Sequence, residues 1–199
     1  MAPLYLASQS PRRLQLLAQL GLSPVLMPPQ PDEDAEALEA LLPGESPRHY
    51  VQRVTRLKLE ASLRRLRRLG LPSGVVLCAD TTVAHGRHIL GKPDDAAHAL
   101  ALLSGLQGTT HRVLTCVAVG TLRRQQQCLQ ISSVTMAPVS QARLRAYVKT
   151  GEPMGKAGAY AIQGQAAGFI EQIRGSHSGI MGLPLFETAA LLRDFGFKV

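Results

Sequence analysis

The chain has 199 residues, of which 45% are hydrophobic and 18% are charged, and it contains no Trp. These proportions are ordinary for a globular protein, and the length suits one well-packed core or two lobes that share a sheet. Charged or polar residues interrupt every apolar run, which excludes a membrane-spanning helix, so no membrane partner is expected. Because there is no repeat and no low-complexity linker, we expect a single domain over residues 1–199.

The three cysteines, Cys78, Cys116 and Cys128, lie in apolar, strand-like surroundings. Their number is odd and no CxxC pair is present, so they indicate buried thiols and not a disulfide framework or a zinc site. The amino terminus also lacks a basic leader followed by an apolar block and a small-residue cleavage site. We therefore expect a cytoplasmic protein.

The formal net charge is +8, from 22 Lys and Arg against 14 Asp and Glu. A basic balance suits acidic partners such as nucleic acid, anionic lipid or phosphorylated small molecules. We expect the basic clusters at 64–68 and 123–124 to be solvated surfaces, the first at a helix end, where cations are favoured. Because Phe and Tyr are scarce, few side chains could stack on bases, and nucleic acid is not the expected partner.

The first predicted elements are a strand over residues 4–7, a polar break and a helix that opens at Pro11. Ser10 is the expected N-cap and Pro11 the first helical residue, where a missing N–H costs nothing. Arg12 and Arg13 put two positive charges in the first turn, where the helix dipole disfavours cations and favours anions. The segment therefore predicts either an anion site or a capped helix whose arginines point into solvent.

A continuous apolar run at 75–79 predicts a strand that is buried on both faces. A breaker at 70–72 ends the long helix that precedes this strand. In order, this part of the chain predicts a short strand at 24–27, an acidic Pro-rich loop at 28–34, a helix at 48–69, the apolar strand, a short return strand at 89–90 and a helix at 94–103.

The second half is predicted to contain two longer strands, at 111–119 and 128–136, joined through a turn. A helix capped by Ser140 follows them, and a last helix ends near residue 195. Between these helices, residues 150–168 are rich in Gly and small residues, which suits close approach of the backbone to a ligand. Since the strands do not alternate strictly with helices, we expect an α/β fold with a mixed sheet.

Three charged residues are candidates for chemistry. Asp80 follows the apolar strand directly, the usual place for a functional acid in an open α/β sheet, although it could merely open a turn. Glu33 alone suggests a solvated loop acid, but with Asp80 it would suit Mg²⁺, which takes one or two carboxylates plus phosphate oxygens. Lys92 suits a phosphate contact, with a solvated loop lysine as the plainer interpretation. No zinc pattern, P-loop or GxSxG elbow is present.

Five motifs in order resemble the Maf family of nucleoside triphosphate pyrophosphatases, and the resemblance spans essentially the whole chain. Each motif alone is a weak signal, whereas five in the right order and spacing are highly specific. Lys58 in the long helix also fits the pattern. The motifs are SQSPRR at 8–13, ADTTV at 79–83, GKP at 91–93, KAGAYAIQG at 156–164 and GLP at 182–184.

The resemblance implies an elongated mixed β-sheet flanked by helices in two lobes with a central cleft, similar to inosine triphosphate pyrophosphatases. It implies metal-dependent hydrolysis of a nucleoside triphosphate to the monophosphate and pyrophosphate, with Mg²⁺ or Mn²⁺ as cofactor. Arg12, Thr81 and Gln163 match the branch that acts on dTTP and UTP.

The roles that the resemblance implies fall into three groups. Asp80 is the catalytic residue, and Asp80 with Glu33 holds the metal, Glu33 being chosen by register while Asp32 and Asp34 stay open as alternatives. Substrate contacts are expected from Ser8, Arg12, Arg13, Lys58, Thr81, Lys92 and Gln163.

One departure from the family leaves alternatives open. Gly155 stands where relatives often have Asp, so an acid role there is lost or is taken by Glu152. A nucleotide-binding regulator without turnover is therefore one alternative, and a basic nucleic-acid-binding module is another. The sequence leaves the oligomeric state open, a homodimer included.

Overall fold

The computed structural model of the protein describes residues 2–34 and 37–199. In this part of the chain, seven strands form one mixed sheet with helices on both faces, which confirms the predicted fold class. The strands are β1 (Leu4–Leu6), β2 (Val25–Leu26), β3 (Val75–His85), β4 (His88–Leu90), β5 (Thr110–Gly120), β6 (Gln125–Met136) and β7 (Ile170–Arg174). The helices are α1 (Pro11–Gln19), α2 (Pro47–Arg68), α3 (Ala96–Leu106), α4 (Gln141–Lys149), α5 (His177–Met181) and α6 (Leu185–Asp194), with 3-10 turns at Ala37–Glu39, Ala157–Ala159 and Gln165–Phe169.

The sheet has the order β2-β1-β3-β5-β6-β7, and β4 pairs with the far end of β3. The first three strands in this order are parallel, and the pairs from β3 to β7 are antiparallel. A short turn joins β5 to β6, as antiparallel pairing allows, and β4 and α3 lie between β3 and β5. The long strands β3, β5 and β6 run through both halves of the molecule.

The prediction that Asp80 ends its strand is wrong, because β3 continues to His85. On one side, β5 pairs with β3 from Val76 to Ala84 and satisfies its backbone groups well beyond Asp80. On the other side, β1 stops at Leu6, which lies opposite Leu77. The open edge is therefore made by the early end of β1 and not by the end of β3.

Two elements were not predicted, β7 and α5. The sequence of β7 is IEQIR, and three of its five residues are exposed, so it lacks the apolar run that marks the inner strands. The α5 helix has only five residues, too few for an apolar period to be recognised. Both lie directly before the GLP motif.

The core is divided between the two lobes. In the first lobe, α2 covers one face of β3 through Leu59 and Leu63, while α1 and α6 cover the other face through residues such as Leu17 and Leu192. In the second lobe, α3 and α4 pack with the far ends of the long strands and with the segment at 157–169. Successive residues of β3 thus face opposite layers. Asp80 lies on the α2 side and Thr81 on the side of α1 and α5.

The cysteines agree with the prediction of free, largely buried thiols. Cys78 and Cys116 are buried, Cys128 is partly buried, and none is in a disulfide. Burial raises the pKa of Cys78 and of Cys116 to about 12. Among the described residues, no helix is long and apolar enough to span a membrane.

Candidate active site

A cleft of about 1130 Å³ opens beside β3 at the point where β1 has ended. Its walls come from the start of α1, the middle of β3, α2, the segment after β4, the segment at 155–163 and the end of α5. It is lined by every residue that the sequence singled out for the site: Ser8, Arg12, Arg13, Glu33, Lys58, Asp80, Thr81, Lys92 and Gln163.

Asp80 and Glu39 hold the same ammonium group. Lys58 on α2 donates from Nζ to Asp80 Oδ1 at 2.6 Å and to Glu39 Oε1 at 2.7 Å. Burial would lower the pKa of Lys58, but the two carboxylates outweigh it and raise that pKa. Burial would likewise raise the pKa of Glu39, but Lys58 and Lys92 outweigh it and lower that pKa. Lys92 Nζ lies 3.7 Å from Glu39 Oε2.

The position of Glu39 is set by α2. The hydroxyl of Tyr50 donates to the Glu39 carbonyl at 3.0 Å, and Arg53 donates to the Ala40 carbonyl at 2.8 Å. Arg53 also makes two hydrogen bonds of 2.7 Å to the carboxylate of Glu45. The backbone that follows the Glu39 side chain is therefore fixed to α2. No sequence motif marks Glu39, and it was not predicted from the sequence.

Glu33 is paired with two arginines of α2, and its metal role beside Asp80 stays a prediction. Its carboxylate accepts from Arg65 Nε at 3.0 and 2.9 Å, and it also pairs with Arg65 Nη2 and with Arg68. Only 3% of the Arg65 side chain is exposed, so the pair stabilises a buried guanidinium. The expectation that the basic cluster at 64–68 is a solvated face is therefore wrong for Arg65.

Arg13, in the first turn of α1, is held by two side-chain hydrogen bonds. Its Nε donates to the Gly182 carbonyl at 2.9 Å, and its Nη1 donates to Ser8 Oγ at 3.2 Å. Burial lowers the pKa of Arg13, with Asp80 acting in the opposite direction. Ser10 occupies the N-cap position but makes no side-chain cap, and its N–H donates to Ser8 Oγ instead. Ser8 therefore orders the loop and Arg13 together.

Gly182 is favoured by its backbone conformation and lies close to two residues of the site. It ends α5 at φ +116°, in the left-handed region that favours glycine. A Cβ here would lie 3.6 Å from Thr81 Oγ1 and 3.7 Å from Arg13 Nε. The GLP motif thus lets the end of α5 approach both residues.

The wall formed by residues 155–163 contains Lys156 and Gln163. Lys156 Nζ donates to the Glu152 carbonyl, and burial followed by the charge of Arg12 lowers the pKa of Lys156. Gln163 is exposed in the cleft, and within the described part of the chain its amide has no hydrogen-bond partner. The structure therefore brings Gln163 and Arg12 to one cleft without joining them.

Glu152 anchors this wall and does not supply an acid to the cleft, which corrects the alternative role suggested for it. Its carboxylate accepts from the Tyr147 hydroxyl at 2.9 Å and from the backbone N–H of Gln165 at 2.9 Å. A Cβ at Gly164 would lie 2.2 Å from that carboxylate, so the anchor depends on a glycine there.

The KAGAY segment packs tightly on β3. Gly158 has φ +70° and donates its N–H to the Gly91 carbonyl at 3.0 Å, and a Cβ on it would lie 2.9 Å from Val83. The next residue, Ala159, is held at φ +60°. Tyr160 then makes a 2.7 Å hydrogen bond with His111 Nε2, and burial lowers the pKa of His111 to about 4. The segment is fixed by packing and not by charge.

Two solved structures share this architecture: Ham1 proteins from Staphylococcus aureus and Coxiella burnetii, with TM-scores of 0.51 and 0.52. The matches cover 97% and 98% of this chain and 99% and 100% of those chains. At 13% and 14% identity they define the fold alone. The predicted similarity to the inosine triphosphate pyrophosphatase fold is confirmed.

The model of the family described as Maf-like protein matches residues 3–195, and this chain belongs to that family, as its motifs predict. Similar proteins named dTTP/UTP pyrophosphatase occur in several bacteria. The one from Albidiferax ferrireducens is 62% identical over 196 residues, 98% of each chain. The one from Polaromonas sp. is 60% identical over 195 residues, 98% of this chain and 96% of that protein. The one from Burkholderia pseudomallei is 62% identical over 191 residues, which are 95% of this chain and 91% of that protein.

The packing of Gly158 leads to a stability prediction. Gly158→Ala is expected to lower the free energy of unfolding by about 2–4 kcal/mol, because it combines a left-handed backbone with a clash against Val83. Denaturant unfolding measures this difference. Gly155→Ala is the matched control, since Gly155 also has φ +70° but no atom lies within 4 Å of an added Cβ. We expect it to lose about 1–2 kcal/mol, and equal losses in the two variants would contradict the packing role.

Proposed function

We propose that this protein hydrolyses dTTP and UTP to the nucleoside monophosphate and pyrophosphate. The observation that carries the proposal is the carboxylate of Asp80, which lies in a cleft whose walls carry the cations Arg13, Lys58 and Lys92. An anionic triphosphate suits such walls, and a carboxylate among them suits attack by water. The names of relatives that are 60–62% identical over nearly the whole chain support the same reaction and the same bases.

The cations of the cleft would bind the phosphates. Arg13 presents a planar guanidinium whose orientation is fixed by the Gly182 carbonyl and Ser8, which suits a phosphate contact. Lys58 and Lys92 both contact Glu39, so a triphosphate would compete with that carboxylate for two ammonium groups. Fixed charges of this kind stabilise the negative charge of the reacting phosphates without reorganisation.

We further propose that Asp80 and Glu39 hold a divalent cation, Mg²⁺ or Mn²⁺. The donor set fits, because two carboxylates already converge on one positive charge at Lys58 Nζ. Mg²⁺ is commonly held by one or two carboxylates together with substrate phosphate oxygens. No cluster of three or more His, Cys, Asp or Glu able to hold a metal occurs in residues 2–34 and 37–199. Such an ion, when bound, supplies charge neutralisation and polarisation of the phosphoryl group.

Asp80 would accept the proton of the attacking water. The oxygen of that water forms a bond to the α-phosphorus, the anhydride bond between the α- and β-phosphates breaks, and pyrophosphate leaves with the electron pair. Lys58 binds Asp80 Oδ1 and so orients the carboxylate. Arg13 lies close enough to Asp80 to interact with it, and its guanidinium would stabilise the negative charge that develops on the phosphates.

The base would lie against Thr81, Arg12 and Gln163. All three line the cleft, Thr81 from β3, Arg12 from α1 and Gln163 from the wall at 155–163. Buried polar groups that lose a base hydrogen bond reject the wrong base strongly. A site of this kind therefore supports a preference for uracil and thymine.

The test of the function is release of pyrophosphate from each canonical triphosphate with several divalent metals. We expect kcat/KM for UTP and dTTP to exceed that for CTP, ATP and GTP by on the order of 10²-fold, with little difference between ribose and deoxyribose. Gln163→Ala should narrow this gap. Binding of UTP without turnover would favour a regulator, and salt-sensitive binding of long RNA or DNA without turnover would favour a nucleic-acid-binding module. Comparable kcat/KM for UTP and GTP would rule out the proposed preference.

The catalytic assignment predicts the behaviour of Asp80→Asn. The amide keeps the shape of the side chain but neither accepts the proton nor binds a metal ion well, so turnover should fall by at least about 10²–10⁴-fold. Circular dichroism and thermal unfolding check that the fold is retained. Asp94→Asn, at an exposed aspartate that pairs with His98, is the matched control and should keep normal turnover. Near-normal activity of Asp80→Asn would exclude the role.

Glu33 and Glu39, two of the acids in the segment before α2, are predicted to differ in their roles. Glu39→Gln should raise the metal concentration for half-maximal activity by about tenfold, because one of two carboxylate ligands is lost. Glu33→Gln should leave that concentration unchanged and lower the free energy of unfolding by about 2 kcal/mol, since it leaves Arg65 buried without its charged partner. Metal titration of activity and denaturant unfolding measure the two effects. If Glu33→Gln raised the required metal concentration and Glu39→Gln did not, the metal role would belong to Glu33.

A further inference from the structure

Thr81 is the first member of a short chain of hydrogen bonds that leads from the cleft into the core. Its Oγ1 lies 3.0 Å from Oγ1 of Thr115, the residue directly opposite on β5. Thr115 is fully buried, and its hydroxyl donates to the Gly179 carbonyl of α5 at 2.7 Å. Neither contact takes part in the reaction proposed above, and Thr115 belongs to none of the motifs.

The direction of each proton in this chain is fixed by counting donors. A hydroxyl has one proton and two lone pairs, whereas a carbonyl oxygen can only accept. Two oxygens 2.7 Å apart repel unless a proton lies between them, so the Thr115 proton must point at Gly179. The Thr81–Thr115 contact then needs a proton as well, and only Thr81 can supply it. The Thr81 proton is thus directed away from the cleft.

We propose that Thr115 is a positioning residue that makes the hydroxyl of Thr81 an obligate hydrogen-bond acceptor toward the base. The proposal rests on the proposed function and adds the source of its base preference. The proposal places this acceptor opposite N3, where it matches the N3–H of uracil and thymine but not the unprotonated N3 of cytosine, which needs a donor. The buried chain therefore favours the imide bases over cytosine.

Gln163 alone does not supply this preference. Its side chain is exposed, and in the described part of the structure nothing holds its amide in one orientation. An amide that rotates freely presents its donor to cytosine as readily as its acceptor to uracil. A hydroxyl whose proton is committed to a buried partner has no such freedom. Of the two groups, Thr81 is the one with a fixed polarity.

The test is Thr115→Val, which keeps the branched shape and removes only the hydroxyl. The Gly179 carbonyl keeps the N–H of Gly182 at 3.0 Å, so it is not left without a partner. Thr81 can then turn its proton into the cleft and donate to cytosine. We expect the ratio of kcat/KM for UTP to that for CTP to fall by about tenfold, the equivalent of one hydrogen bond. Thr115→Ser should restore the ratio.

Thr110→Val is the matched control. Thr110 lies on the same strand and pairs through its hydroxyl with Thr135 at 2.8 Å, but this pair is exposed and does not line the cleft. The Thr110→Val variant should leave the ratio of kcat/KM for UTP to that for CTP unchanged. A merely structural role of Thr115 would lower turnover of UTP and CTP equally, and an unchanged ratio in Thr115→Val would overturn the proposal.

A second measurement does not depend on turnover or on the variant folding. Neutron diffraction of the wild-type protein in D₂O should show the Thr115 deuterium pointing at Gly179 and the Thr81 deuterium pointing at Thr115. A Thr81 deuterium directed into the cleft would overturn the proposal.

Calorimetric binding of UMP and CMP gives the ratio of their affinities without catalysis. If UTP is not cleaved but UMP is preferred and Thr115→Val removes that preference, the proposed reaction fails while this inference stands.

Discussion

The cleft exists because two neighbouring parallel strands differ in length. β1 spans three residues and β3 spans eleven, so on the β1 side β3 has no strand partner between Leu77, where β1 stops, and Val83, where β4 begins to pair. On its other side β5 pairs along almost the whole of β3, which keeps the strand regular beyond the point where β1 stops. The chain leaves β1 through the 8–10 loop and starts α1 above this open edge. Because successive residues of a strand face opposite layers, Asp80 meets α2 and Thr81 meets α5, although both line one cleft.

The charges of the cleft are organised by α2. This helix carries the cations Arg53, Lys58 and Arg65, and each one binds an acid of the preceding segment. Two of these pairs hold the segment in place, at Glu45 and Glu33, and the third joins Glu39 to Asp80. Much of the positive charge that the sequence places on α2 is thus neutralised within the chain. Lys58 also lines the cleft together with Arg13 and Lys92, so α2 contributes to both the folding of the preceding segment and the charge of the cleft.

Local patterns predict the elements of this fold well and the contacts between them poorly. The apolar runs identify β3, β5 and β6, and the Ser-Pro pair before α2 marks its start. The continuation of β3 past Asp80 is missed because polar residues there are satisfied by β5, a partner distant in the sequence. Glu39 lies beyond the acidic loop at 28–34 and no motif marks it, so its contact with Lys58 on α2 cannot be recognised from the local pattern. β7 has no apolar signal because it is a largely exposed edge strand.

The short helix α5 links the two kinds of recognition in the cleft. Its Gly179 carbonyl accepts from Thr115 and so fixes the proton of Thr81, and its capping residue Gly182 accepts from Arg13. One carbonyl thus sets the polarity of the group proposed to face the base, and the other sets the orientation of the cation proposed to bind the phosphates. The helix is itself anchored by Ser132, whose hydroxyl accepts from the Ser176 N–H at 2.9 Å. Under the proposed function, a displacement of α5 would therefore alter phosphate binding and base selection together, whereas a change at Thr115 would alter base selection alone.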